Sequence, residues 1–279
     1  ANPGTLTPEK LSIYRKYGIN RISIGLQSPN NKELAMLGRI HNYAQFLESF
    51  QMAREAGFSN INVDLMFAIP GQSYDGWIEN LQTVAALGPE HISAYSLIIE
   101  EGTPFFRKKL DLPDEDTEYR MYEDVAAVLK EYDYHQYEIS NYAKAGYECR
   151  HNEGYWQRKD YLGLGLGAAS LLGKERFSNT SDMQEYLKNS SAPEKIQKNW
   201  ELLTREDEMA EFMFLGLRMT QGVSKKEFQE YFGTVIENIY GEVLKKYKKQ
   251  GLLLEESGRI FLSREGIHVS NAVMAEFLL

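Results

Sequence analysis

Cysteine is nearly absent: Cys149 is the one thiol in 279 residues. One thiol builds no internal disulfide framework, which fits a reducing, cytoplasmic setting. Long apolar runs are missing too. No stretch approaches the ~18 uncharged apolar residues of a membrane span, and the opening residues carry no signal-peptide pattern. Basic charge is in deficit, with 31 Lys plus Arg against 40 Asp plus Glu and a formal net charge of −9. A nucleic-acid binder needs a basic face, so the balance speaks against that class. There is also no initiator methionine. The chain opens Ala-Asn-Pro-Gly-Thr, turn chemistry that leads to Thr7 as the cap of a helix reaching about Tyr17. This reads as the end of a strand-to-helix loop, and the expectation is a fragment of a longer protein.

What is present is an alternation of strands and helices. Residues 19–27 (INRISIGLQ), 60–69 (NINVDLMFAI) and 91–100 (HISAYSLIIE) read as buried strands. Amphipathic helices are expected at about 43–56, 74–87 and 115–132, and a short strand at 135–139. That order implies parallel βαβ units, either a doubly wound sheet or a barrel; periodicity does not choose between them. In NINVDLMFAI, Val63, Leu65 and Phe67 share one face while Asn62, Asp64, Met66 and Ala68 share the other. A carboxylate inside an apolar strand is costly unless it is paired or functional. In a barrel that face points inward, and functional groups gather at the C-terminal strand ends, where Gln27 and Glu100 also fall. Gln27, Arg39 and Asp64 would converge there. Such a set suits a ligand bearing a carboxylate, an ammonium and a ribose diol.

The second half changes character. YLGLGLGAAS, at 161–170, imitates a phosphate-cradling glycine loop, but no strong helix follows it, and close backbone packing or a pocket wall explains it better. After a polar stretch to about Lys198 come helices at 206–219, 225–232 and 235–250, a hairpin of 252–255 with 259–263, and a closing helix. Three helices and a hairpin describe a winged-helix module. Residues 205–279 hold ten basic and twelve acidic side chains, net −2, so the lysines at 245, 246, 248 and 249 are a solvated helix end rather than a DNA-reading face. The stretch YECRHNEGYW, at 147–156, sets the cysteine beside a histidine and two aromatics. The ordinary account of such a stretch is a hydrogen-bonded polar loop.

The strings SIGLQS, LGRIH, NINVDLMFAIPGQ, PEHISAYSLIIEEGTPF, YEISNYA, ECRHNEGYW and YLGLGLGAAS together resemble the oxygen-independent coproporphyrinogen III oxidase-like family of radical-SAM proteins, nearest its HemW-type haem-chaperone branch. The resemblance runs through the whole chain. It implies a partial (β/α)6, TIM-like barrel that binds S-adenosylmethionine and a 4Fe-4S cluster, the cluster held by a C-x-x-x-C-x-x-C motif that residues 1–279 do not contain. Residues 19–27 would then be the fourth barrel strand. Gln27, Arg39 and Asp64 match family positions that contact S-adenosylmethionine. His151, Asn152, Tyr155 and Trp156 match an H-N-x-x-Y-W pattern associated with haem, which makes His151 the candidate iron ligand and the two aromatics walls for a flat macrocycle. His41 fits the chaperone branch as well. One position departs: Ala169 stands where chaperone relatives commonly have histidine.

The expected architecture is therefore α/β: the C-terminal half of a partial radical-SAM barrel plus a mainly helical, winged-helix-like domain. The expected bounds are 1–172, a connecting segment 173–203, and 204–279. The expected function is a haem chaperone that hands haem to client haemoproteins, including membrane-associated ones, with no membrane segment of its own and no nucleic-acid partner. The alternatives are coproporphyrinogen III oxidase in porphyrin biosynthesis and, disfavoured by charge, a nucleic-acid-binding winged helix. Residues 1–279 alone are expected to be catalytically inactive.

Overall fold

The computed structural model describes residues 1–279, which form two compact units, Ala1–Glu148 and Cys149–Leu279. In the first, α1 (Pro8–Lys16) begins at Thr7, whose side chain accepts from the Lys10 amide. Then follow β1 (Ile22–Gln27), α2 (Asn31–Met36), α3 (Tyr43–Glu55), β2 (Ile61–Phe67), α4 (Tyr74–Ala86), β3 (His91–Ser96), α5 (Glu115–Lys130), β4 (His135–Glu138) and β5 (Asn141–Ala143). The sheet order is β1-β2-β3-β5-β4. The first three strands run parallel, and a β4–β5 hairpin closes the edge antiparallel to β3. The sheet is mixed and open.

Its two faces differ as the alternation in β2 requires. Ile24, Val63, Leu65 and Ile92 are fully buried against Leu11, Phe46, Trp77, Leu81, Met121 and Leu129 of the flanking helices. Ser23, Asn62, Asp64, His91 and Ser93 occupy the other face, in register across β1, β2 and β3. The strands are shorter than the hydrophobic runs suggest. The backbone at Ile19 bonds back to Tyr14 at the end of α1, so β1 begins only at Ile22. The chain leaves the sheet after Ser96, and Glu100 lies exposed in a turn rather than at a strand end.

The second unit starts with α6 (Arg150–Trp156) and continues through β6 (Ala169–Leu172), β7 (Glu175–Asn179), α7 (Met183–Asn189), α8 (Pro193–Ile196) and β8 (Gln197–Leu202). These strands make an antiparallel sheet of order β6-β7-β8. The polar stretch read between the glycine loop and Lys198 is thus folded, and residues 172 and 173 fall within the β6–β7 hairpin. Compactness divides the chain at Glu148/Cys149, before the glycine loop.

The module that follows is α9 (Arg205–Gly216), β9 (Val223–Ser224), α10 (Lys225–Phe232), α11 (Ile236–Lys249), β10 (Leu253–Glu256), β11 (Arg259–Leu262), α12 (Arg264–His268) and α13 (Ser270–Ala275). Thr204 and Asp207 form a capping box on α9. The β10–β11 hairpin turns on Ser257 and Gly258, both at positive φ (51° and 75°), the two-residue geometry that matches strand twist. β9 adds to β11, giving the three-stranded wing, order β10-β11-β9. Phe228, Ile236, Tyr240, Ile260, Val273 and Phe277 form its buried centre. No helix in either unit is long and apolar enough to cross a membrane.

Candidate functional site

The polar face of the first unit is a connected hydrogen-bond system. Asp64 accepts from Asn62 Nδ2 at 2.6 Å and from Ser23 Oγ at 3.0 Å. Asn62 Oδ1 meets His91 Nδ1 at 2.6 Å, and His91 Nε2 meets the Tyr137 hydroxyl at 2.8 Å. Burial, with the nearby charge of Arg21, pushes the His91 imidazole down to about 3, so the ring is neutral.

Gln27 ends β1 at the C-terminal edge of the sheet, with φ of 74°, an uncommon conformation for a residue with a side chain. Its Oε1 accepts from the Tyr95 hydroxyl at 2.8 Å, and its Nε2 makes no hydrogen bond within the protein. Burial and then the charge of Asp64 hold the Tyr95 phenol above its ordinary value, while Gln27 and Arg39 pull the other way. Gln27, Arg39 and Asp64 therefore share the surroundings of one hydroxyl. Arg39 is half-buried and pairs with no carboxylate of the protein. Donors, acceptor and cation are of the kinds that a sulfonium amino acid carrying an adenosine would use.

Two further residues support this edge: Glu33, which gave no signal in the sequence, and His41, which was noted only through the family resemblance. Glu33 is buried, and its Oε2 accepts from Ser28 (2.6 Å), Asn80 (2.8 Å) and Gln72 (3.0 Å). It thereby ties together the loops after β1 and β2 and the α4 helix. His41 is buried with Nε2 at 3.1 Å from the Leu26 carbonyl, which anchors the Leu-Gly-Arg-Ile-His segment to β1.

In the second unit, the H-N-x-x-Y-W residues lie on α6, but not on one face. His151 and Tyr155, one turn apart, meet edge to face at 4.5 Å, and Tyr155 meets Tyr161 at 4.6 Å. His151 is exposed and its ring nitrogens make no hydrogen bond or ion pair within the protein. Asn152 is half-buried. Trp156 turns away, under the Arg218 guanidinium at 4.4 Å, with its indole nitrogen buried and lacking an acceptor. It lines a cavity of about 1040 Å³ shared with Phe212, Met219 and Tyr231, which His151 and Tyr155 do not line.

Cys149 is buried at the start of α6. No group of three or more His, Cys, Asp or Glu side chains is placed to hold a metal ion. With one cysteine, the residues present do not fit a four-iron cluster, and no step is derived through one.

The glycine loop is a packed structure rather than a phosphate cradle. A Cβ at Gly163 would lie 2.2 Å from the Ala169 carbonyl oxygen. Asn179 Nδ2 donates to the Gly163 and Gly165 carbonyls (3.2 and 2.8 Å), and Gly163 N donates to Ser170 Oγ (2.9 Å). Ala169 itself is exposed.

Comparison with known proteins accords with this geometry. Residues 1–84 match the Radical SAM superfamily model, and residues 203–269 match the HemN C-terminal domain. Over its full length the chain is 38% identical to "Heme chaperone HemW" of Bacillus subtilis, covering 74% of that protein. The chain belongs to the HemW family. It is also 36% identical, over its full length, to the Lactococcus lactis member, again covering 74% of it. The structure superimposes on Escherichia coli coproporphyrinogen III oxidase, HemN, a radical-SAM enzyme, with a TM-score of 0.83 at 19% identity, covering 100% of this chain and 68% of that one. That likeness is one of fold. Membership of the radical-SAM family implies S-adenosylmethionine and a 4Fe-4S cluster for the family as a whole.

Proposed function

We propose that the chain is a haem chaperone: His151 ligates the iron of a haem held against Tyr155, and the haem passes to client haemoproteins, soluble or membrane-bound, in a reducing cytoplasm. Relatives named as haem chaperones share the whole chain, and one structural observation carries the assignment of the ligand. Of five histidines, His41 and His91 are buried and hydrogen-bonded, His135 pairs with Glu148 at 2.9 Å, and His268 has an interaction partner in the protein. His151 alone is exposed with no hydrogen bond or ion pair to another residue of the protein. Haem iron takes a neutral imidazole as axial ligand, and that availability is what a transferable cargo asks for.

Gln27, Arg39 and Asp64 we assign to S-adenosylmethionine, Asp64 receiving ribose or ammonium donors and Arg39 a carboxylate. Asn152 and Trp156 support α6: Asn152 is half-buried, and Trp156 packs away from the haem face. Titrating the protein with haemin and following the Soret band tests the reading. We expect saturable binding that His151→Ala weakens at least tenfold; unchanged binding by that variant would overturn it. The oxidase alternative has a likeness of fold behind it and no observation that favours it.

A further inference from the structure

Hydrogen bonds on the polar sheet face run in one direction, and the direction follows from chemistry. Asp64 is a carboxylate and accepts only, so Asn62 must present its NH2 group to it. The Asn62 carbonyl oxygen then faces His91, and Nδ1 of His91 must carry the proton. Because the ring is neutral, Nε2 bears a lone pair and accepts from the Tyr137 hydroxyl. The Ser93 hydroxyl lies 3.2 Å from Asn62 Oδ1 but gives its one proton to Asn141 Oδ1 at 2.6 Å, which leaves His91 as the donor to Asn62 Oδ1. The result is a chain from Tyr137 through His91 and Asn62 that ends on Asp64, drawn from β4, β3 and β2. Flipping any one member sets two acceptors or two donors face to face, a costly arrangement in a buried site.

We propose that His91 is a positioning residue for the Asp64 site: acting through Asn62, it fixes the Asp64 carboxylate in the orientation that receives the hydroxyl or ammonium donors of an adenosyl ligand. The inference rests on the assignment of Asp64 to S-adenosylmethionine. His91 touches no ligand. It removes the freedom of Asn62 to flip, and with it the freedom of Asp64 to rotate away. Fully buried at the N-terminal end of β3, away from the C-terminal strand ends, it would otherwise pass as an ordinary core histidine.

Asparagine carries its N–H as far from the backbone as Nδ1 lies, whereas glutamine carries it one bond further, where Nε2 lies. His91→Asn therefore keeps the donor to Asn62, and His91→Gln misplaces it. Calorimetric titration of the full chain with S-adenosylmethionine should give His91→Asn within about twofold of wild type and His91→Gln roughly tenfold weaker. Melting temperatures of both variants should fall by similar amounts, since each loses one of the two ring bonds: His91→Asn the one to Tyr137, His91→Gln the one to Asn62. Equal affinities for the two variants would overturn the proposal and leave His91 a packing residue. If the wild type does not bind, or Asp64→Asn binds as tightly as wild type, the reading of the site falls and the inference with it. A readout independent of ligand is the long-range ¹H–¹⁵N spectrum of His91. We expect the Nδ1–H tautomer, and the Nε2–H tautomer would refute the chain of donors.

Discussion

His91 and His151 are the same residue in opposite circumstances. His91 sits on β3 with both ring nitrogens committed, to Asn62 and to Tyr137, in a layer where every polar side chain named has a partner. His151 sits on the short α6 helix, exposed and without a hydrogen bond, its ring in edge contact with Tyr155. A buried, neutral, fully bonded imidazole can orient its neighbours but cannot take a metal without breaking two hydrogen bonds. An exposed imidazole can ligate and release at little structural cost. The proposed roles thus ask rigidity of the first unit and accessibility of the second.

Perturbations should separate the two regions. Acid comes first in size. The folded-state value of His91 is depressed, from 6.5 to about 3, so its contribution is complete above about pH 6.5 and is lost as pH falls toward 3. By pH 4.5 the loss should reach about 3 kcal/mol. Denaturant titrations between pH 7 and 4.5 measure this, and His91→Asn should flatten the dependence. Next is Glu33→Ala, which strands the donors of Ser28, Gln72 and Asn80; a loss of about 2 kcal/mol is expected in the same assay. Gly163→Ala presses a methyl group on the Ala169 carbonyl and should cost about 1–2 kcal/mol, read in the melting of the second unit. Smallest is His151→Ala, within about 0.5 kcal/mol at neutral pH, because the side chain is exposed and unbonded. A large stability loss there would break the contrast.

Much of this was legible in residue order. The alternation of β2 placed Asp64 opposite Val63, Leu65 and Phe67, and the Thr7 cap marked a helix start that the structure keeps. The β6–β8 sheet was not legible. β8 is exposed along almost its whole length, so it shows no period-two alternation, and its one large contact, Trp200 stacked on Phe177 at 4.4 Å, joins distant residues. β5 is three residues long and exists only through its pairing with β3 and β4. Glu33 and His91 were missed for the same reason. Their partners lie up to 47 and 46 residues away, and nothing local distinguishes a buried hub from a surface glutamate or an ordinary core histidine. The H-N-x-x-Y-W residues were legible as a string, but their division between two faces of α6 required the helix.

The claim that His151 is the haem ligand is tested most directly by ligand rescue. Wild type and His151→Ala would be loaded with ferric haem and compared by absorption and resonance Raman spectra, before and after adding free imidazole. The account predicts that His151→Ala loses the wild-type axial-ligand signature and that imidazole restores it, while His91→Asn keeps it throughout. A wild-type signature in His151→Ala before imidazole is added would contradict the account.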